Sequence, residues 1–248
     1  MIAQSLSISD VKSFLWQHTL LLISLFMMTF GVVLCIKSGL GSSTISSIPF
    51  VMSLAGSGGS IPAMSVGSWT IAMNFLLVFL QLVILRRQFE PVQLFQLLIG
   101  FVFGWMIDLN MWLLSPLECS GLAAETVCQL AGCTVMGIGI AFEVKCGSVT
   151  MPGEGITIAI GRVVRRPFAK VKICVDSTLV IIAVALGYMF FGRWMTEVVG
   201  PGTIFAMVYV GLVVKFITPR IGWFDRLLHE VPGFRRTVVG LARHIFRR

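Results

Sequence analysis

Apolar residues in this chain run in long stretches with few charged residues, unlike the regular polar alternation of a half-buried soluble helix or strand. Six stretches, at residues 14–36, 67–85, 93–114, 122–142, 171–191 and 202–217, are each long enough to cross a hydrocarbon core as a helix. Two shorter apolar segments, 43–54 and 152–163, directly follow turns rich in glycine and hydroxyl residues. Those turns read Ser38-Gly39-Leu40-Gly41-Ser42-Ser43 and Cys146-Gly147-Ser148-Val149-Thr150. The short segments are too brief for an ordinary span and suit re-entrant or half helices. The pattern predicts an all-α integral membrane protein with six transmembrane helices and two short helices.

The two halves of the pattern repeat each other. At an offset of 108, Leu22, Met28, Gly31, Lys37, Gly39 and Ile48 recur as Leu130, Met136, Gly139, Lys145, Gly147 and Ile156. The offset becomes 102 where Ile71, Asn74, Leu77 and Val78 meet Ile173, Asp176, Leu179 and Val180, and 107 where Glu90, Val92 and Gly104 meet Glu197, Val199 and Gly211. Duplicated sets of membrane segments are a common ground plan for transporters, with the site between the halves.

Charge sets the expected topology. The basic clusters are Arg86-Arg87, the 162–172 stretch, and the tail from Arg220 onward. If both short segments return to the side they entered from, all three clusters and both termini face the cytoplasm; if both cross, Arg86-Arg87 faces outward. The six-span reading, which puts every cluster inside, is the expected one; each half then has three crossings, so the repeats are inverted. The expected organisation is a cytoplasmic N-terminus (1–13), a first membrane repeat (14–115), a connection (116–121), a second repeat (122–217) and a cytoplasmic tail (218–248). The polar start at 1–13 followed by a long apolar run predicts a signal anchor and no cleaved signal peptide.

Composition agrees with a membrane protein: 56% of residues are hydrophobic and only 12% charged, against about 25% charged in soluble domains. The net charge of +8 does not imply nucleic acid, because the basic residues flank membrane segments where topology and anionic lipid account for them. Beyond Pro219 the tail mixes Trp223, Phe224, Leu227 and Leu228 with arginines, a basic amphipathic stretch suited to the anionic cytoplasmic leaflet or to docking a partner. The six cysteines form no CxxC pair and have no metal-ligand spacing, so neither metal nor cofactor is expected. No nucleotide-binding glycine motif or HExxH is present, and the histidines (His18, His229, His244) sit at a helix entrance and in the tail, which gives no basis for an enzyme.

Ionisable and polar residues inside apolar helices are costly and therefore candidate site residues. Asp108 lies deep in the third long stretch and repeats as Lys215, whose long stem can reach the interface. Asp176 repeats Asn74, two near-isosteric groups expected to face a shared interior; the local alternative pairs Asp176 with Lys172 one turn earlier. Glu154 sits in Thr150-Met151-Pro152-Gly153-Glu154-Gly155, where Pro152 suits a first helical turn and Gly153 and Gly155 permit close backbone approach. Its first-half counterpart is Ser46, within the hydroxyl cluster Ser42, Ser43, Thr44, Ser46 and Ser47. Half-helix ends of this kind hold ions and polar groups in transporters; the simpler alternative is that Glu154 offsets its own helix dipole. Lys37 and Lys145, repeating at the ends of their spans, suit the carbonyl ends of those helices.

These same turns carry a family resemblance. Residues 31–50 (GVVLCIKSGLGSSTISSIPF), 104–108 (GWMID), the 153–155 element with its basic follow-up to Asp176, and 200–203 (GPGT) resemble bacterial YczE/YyaS-like membrane proteins, relatives of the YitT group. The resemblance spans about residues 15–217 and implies a multi-pass protein of the bacterial plasma membrane without an assigned activity. The basic tail stands outside the family pattern.

Two functions from different classes fit. One is a secondary transporter or facilitator of a small polar solute, with its site between inverted repeats. The other is a non-transporting membrane component: a substrate-binding subunit of an importer, or an accessory protein of an envelope or biosynthetic complex. Homo-oligomers and membrane partners are compatible with both.

Overall fold

A computed structural model describes residues 8–146 and 150–222 of the chain. The expected cytoplasmic segment before Ile8, three residues of the second Gly/Ser turn, and the tail beyond Gly222 lie outside the described residues. Eight α-helices follow in order among the described residues: α1 (Ile8–Ser38), α2 (Ser47–Ser57), α3 (Val66–Leu85), α4 (Phe95–Leu113), α5 (Leu122–Cys146), α6 (Pro152–Val164), α7 (Phe168–Phe191) and α8 (Pro201–Ile217). Six of them are long and apolar enough to cross a membrane, and α2 and α6 are the two short ones. The molecule is a multi-pass helical membrane protein.

The short helix expected at 43–54 begins four residues later, at Ser47. The cause lies in the preceding hydroxyls. Ser42 donates both its backbone N–H (3.0 Å) and its Oγ (2.9 Å) to the Val198 carbonyl, which holds this stretch off the helical path. The helix then runs on to Ser57 and stops at Gly58-Gly59, where Gly59 takes a φ of +78°.

At the centre, α1 and α5 pack face to face and antiparallel. Gln17 near the start of α1 bonds to the Cys146 carbonyl at the end of α5, and Ser38 at the end of α1 bonds to Gln129 near the start of α5. Midway, a Cβ on Gly31 would fall within 2.8 Å of Met136, and one on Gly139 within 2.8 Å of Met28. The two contacts are reciprocal, since Met28 and Gly31 repeat as Met136 and Gly139. Glycine at both places lets the helix axes approach closely, as small residues do in membrane interfaces.

Other packings exchange in the same manner. Helix α4 packs on α1 as α8 does on α5; α2 on α3 as α6 on α7; and α2 on α7 as α6 on α3. The buried cluster of Met73, Leu77 and Ile156 also takes in Ile48 and Val175, which brings together the repeated pairs Ile48/Ile156 and Met73/Val175. One pairing breaks the pattern. α3 and α4 pack closely, Gly67 against Gly104, whereas α7 and α8 have no comparable contact. Large apolar side chains on the outer faces, among them Phe79, Leu98, Trp105, Ile181 and Val208, are exposed and form the surface that lipid would cover.

Candidate functional site

The turn after α1 and the start of α6 meet inside the bundle. Gly153, in the first turn of α6, lies against Ile45: a Cβ there would be 2.9 Å from Ile45 Cδ1. Gly153 is half of the Gly153/Gly155 pair singled out in the sequence, and each glycine makes room for something specific. At Gly155 a Cβ would strike the side chains of Gln81 and Gln96 at 2.6–2.8 Å. These two glutamines are fully or almost fully buried. Gln81 Nε2 donates to Gln96 Oε1 (2.9 Å) and to the Pro152 carbonyl (3.2 Å). The start of α6 is thereby pinned to the cytoplasm-facing ends expected for α3 and α4. Gln81 Oε1 has no partner among the described residues.

Local chemistry explains why α6 begins where it does. Pro152 occupies its first turn, where the missing N–H leaves no intrahelical bond unmade. The backbone N–H of Met151, just before the helix, donates to Glu143 Oε1 on α5 at 3.2 Å. Glu143 is buried, and its second oxygen, Oε2, has no partner among the described residues. Its carboxyl group interacts electrostatically with that of Glu154. Glu154, half-buried, also lies within electrostatic reach of Lys172 and Asp176 on α7. Lys172 and Asp176 themselves form an ion pair at 2.8 Å, one helical turn apart. The local partner anticipated for Asp176 is therefore present, and the pair stands beside Glu154. Glu154 thus stands within electrostatic reach of Glu143 on α5 and of the Lys172–Asp176 pair on α7.

The hydroxyls of the first turn bond mainly within it. Ser43 Oγ and Ser46 Oγ are 2.7 Å apart, and Ser47 Oγ donates to the Thr44 carbonyl at 2.7 Å. Ser46 does not cap α2 with its side chain. Ser42 ties the turn to Val198, and Gly41 packs against Thr203 at the start of α8. Thr44 is half-buried beside them.

Asp108 and Asn74 lie elsewhere. Asp108 accepts from Ser65 Oγ (2.6 Å) and from the Gly67 N–H (2.8 Å). Ser65 is the N-cap of α3, so Asp108 joins the α3 N-terminus to α4 and offsets its exposed N–H groups. Buried Asn74 donates to the Gly100 carbonyl at 3.3 Å, again joining α3 to α4. Lys215, the repeat counterpart of Asp108, is exposed on the far side of the molecule, along a groove between α5 and α8. Lys37 Nζ approaches the Ser115 carbonyl just past α4 at 3.5 Å, at the end of a different helix from the one expected for it.

Sequence reasoning missed Glu143, Gln81 and Gln96. The available signal was the same one that marked Asp108: a polar side chain inside or at the edge of an apolar stretch.

A multi-pass helical membrane protein with this pattern has recognisable relatives. The chain belongs to the family described as "family of unknown function (DUF6198)", which matches residues 15–219. The "Uncharacterized protein YyaS" of Bacillus subtilis (strain 168) is 26% identical over 199 residues, covering 79% of this chain and 90% of its own length. No solved structure matches the chain.

Proposed function

We propose that the protein is a secondary transporter or facilitator for a small polar solute, built from two inverted repeats of the bacterial plasma membrane, with both termini cytoplasmic. The observation that carries this reading is the contact between Gly153 and Ile45, because these residues occupy the same position in the two repeats. Two equivalent points touch only at an axis relating them. The antiparallel course of α1 and α5, with reciprocal contacts at Gly31 and Gly139, supports an axis lying in the membrane plane. Two short helices starting beside that axis, one of them headed by Glu154, match the broken helices that hold solutes and ions at the centre of such proteins. Glu154 and Asp176 are the proposed site residues on the second repeat, with the hydroxyls of Ser42, Ser43, Thr44 and Ser46 on the first. Asn74 and Asp108 serve as the supporting joint between α3 and α4.

The test is reconstitution of the protein alone. Vesicles challenged with a panel of polyols, amides, amino acids and organic anions, with and without an imposed pH gradient, should pass at least one member faster than protein-free vesicles. Gly153→Leu, which fills the contact at Ile45, should abolish that flux.

A second reading has one observation in its favour. α7 and α8 leave most of their surface open, with about 17% of each apolar window buried, and they lack the mutual packing of α3 and α4. A membrane partner or a second copy seated there would suit a binding subunit or an accessory component. Solutes that cross only when such a partner is co-reconstituted would favour this alternative.

A further inference from the structure

Glu143 is 5% exposed, lies on α5, and presents one oxygen with no hydrogen-bond partner among the described residues. Its other oxygen is engaged by the Met151 N–H at the head of α6. A buried carboxylate normally has both oxygens bonded, because leaving one unsatisfied costs about 1–3 kcal/mol, and more if the group is charged. Glu154, whose backbone N–H donates to the carbonyl of the same Met151, lies within electrostatic reach of Glu143. A carboxyl group with an unbonded buried oxygen is relieved by carrying a proton, and a neighbouring carboxylate adds to that tendency. Among the described residues no group of three or more His, Cys, Asp or Glu side chains could hold a metal ion, which sets this site apart from a divalent-metal centre.

We propose that Glu143 and Glu154 form a proton-binding pair at the head of α6, with Glu143 Oε2 as the atom that takes up and releases the proton. The pair has a graded surround. On α7, Lys172 favours the ionised form of Glu154 while Asp176 opposes it. On α5 itself the Cys146 thiol lies near Glu143. The elements packed around that end of α5 bring His18 on α1, Lys215 on α8 and Arg220 just beyond it. Lys145 stands two residues beyond Glu143 on α5, and Lys172 acts on Glu154. A proton arriving on Oε2 neutralises Glu143 and lets Glu154 keep its charge beside Lys172. Loss of that proton places two negative charges at a helix start bonded to its surroundings through Met151 and Gln81. The inference deepens the transport reading and depends on it only for the use made of the proton.

Infrared difference spectroscopy on the full-length protein in lipid, stepped through pH without any solute or gradient, reads this pair directly. The expected result is a protonated-carboxyl carbonyl band that titrates, is lost in Glu143→Gln, and titrates at a displaced pH in Glu154→Gln. If Glu143→Gln does not fold, Glu143→Asp is expected to retain the band at a shifted frequency. A band unchanged by substitution at Glu143 overturns the proposal. So does a band removed at constant pH by sodium or potassium chloride, since the site would then hold a metal cation in place of a proton. Absence of transport in the vesicle panel leaves this band unaffected, so the two readings fail separately.

Discussion

Gly153 and Ile45 touch, and they are the same position in the two halves of the chain, 108 residues apart. In the inverted-repeat arrangement proposed above, such a contact lies on the axis between the halves. Glycine on one side and isoleucine on the other is also the simplest way for two equivalent turns to fit: one supplies the volume and the other the space. A Cβ at Gly153 would already crowd Ile45 Cδ1 at 2.9 Å, although the neighbouring atom is the tip of a flexible side chain. Gly153→Ala should therefore fold with a small loss of stability, while Gly153→Leu should separate the two turns. The check is solute flux in vesicles alongside melting temperature: Ala near wild type in both, Leu folded with its flux lost. Full flux in Gly153→Leu would remove the axis contact from the mechanism.

Close approach of α1 and α5 makes a sharper prediction. At Gly31 the atoms a Cβ would meet are the Gly132 carbonyl oxygen and the Met136 backbone nitrogen, at 2.5–2.6 Å. Backbone cannot yield as a side-chain tip does. Gly31→Ala is expected to cost about 1–3 kcal/mol by overpacking. Gly139→Ala, which meets the backbone of Met28 at 2.8 Å, should cost a similar amount, and Gly211→Ala, which meets nothing within 4 Å, should cost little. Thermal unfolding in detergent checks all three. Equal tolerance of alanine at the three positions would rule out the tight α1–α5 seam.

Asp108 is expected to act on stability. Its carboxylate takes one hydroxyl and one backbone N–H at the start of α3. Asp108→Ala should destabilise the fold by about 1–3 kcal/mol through the donors left behind, and the molecules that fold should retain their flux. Ser65→Ala should cost less, because the Gly67 N–H keeps its acceptor. If Asp108→Ala melts like the wild type yet loses transport, Asp108 belongs to the site after all.

How much of this was legible in the sequence depended on the range of the interactions. The six long helices follow from run length alone, since an apolar stretch of about 20 residues has few other stable arrangements. That the first Gly/Ser turn lies beside the head of α6 was legible in the repeat, which pairs Ile45 with Gly153. The late start of α2 did not, because the Val198 carbonyl that holds Ser42 comes from 156 residues away. Glu143 was hidden for the same reason. In sequence it stands two residues from Lys145 at the edge of a span, where an exposed salt-bridge partner would be unremarkable. Only the fold places the Met151 N–H, eight residues on, against it and buries it. The part Asp108 plays likewise needed Ser65, 43 residues earlier.

Topology can be tested independently of transport. With the six native cysteines replaced, single cysteines at Gly58 and Glu118 should react with a membrane-impermeant reagent from outside, and those at Arg87 and Arg166 only after the membrane is opened. The positive-inside bias of the Arg86-Arg87 and 162–172 clusters sets this expectation. Outside labelling at Arg87 would mean that both short helices cross and that the repeats are parallel.

The last prediction separates the members of the charged group. Glu154 is the residue through which α5, α6 and α7 communicate: it acts on Glu143 on one side and on Lys172 and Asp176 on the other. Asp176 already holds a 2.8 Å bond to Lys172. Removing the Asp176 charge should release Lys172 to pair with Glu154, whereas removing the Glu154 charge leaves the Lys172–Asp176 pair intact. Glu154→Gln should therefore leave solute flux following only the displaced titration of Glu143, while the protein stays folded and inserted. Asp176→Asn should preserve a pH dependence but move it to lower pH, because a freed lysine favours the ionised form of Glu154. Flux measured across a pH series in vesicles distinguishes the two variants. Identical profiles in Glu154→Gln, Asp176→Asn and the wild type would place the coupling site away from the head of α6.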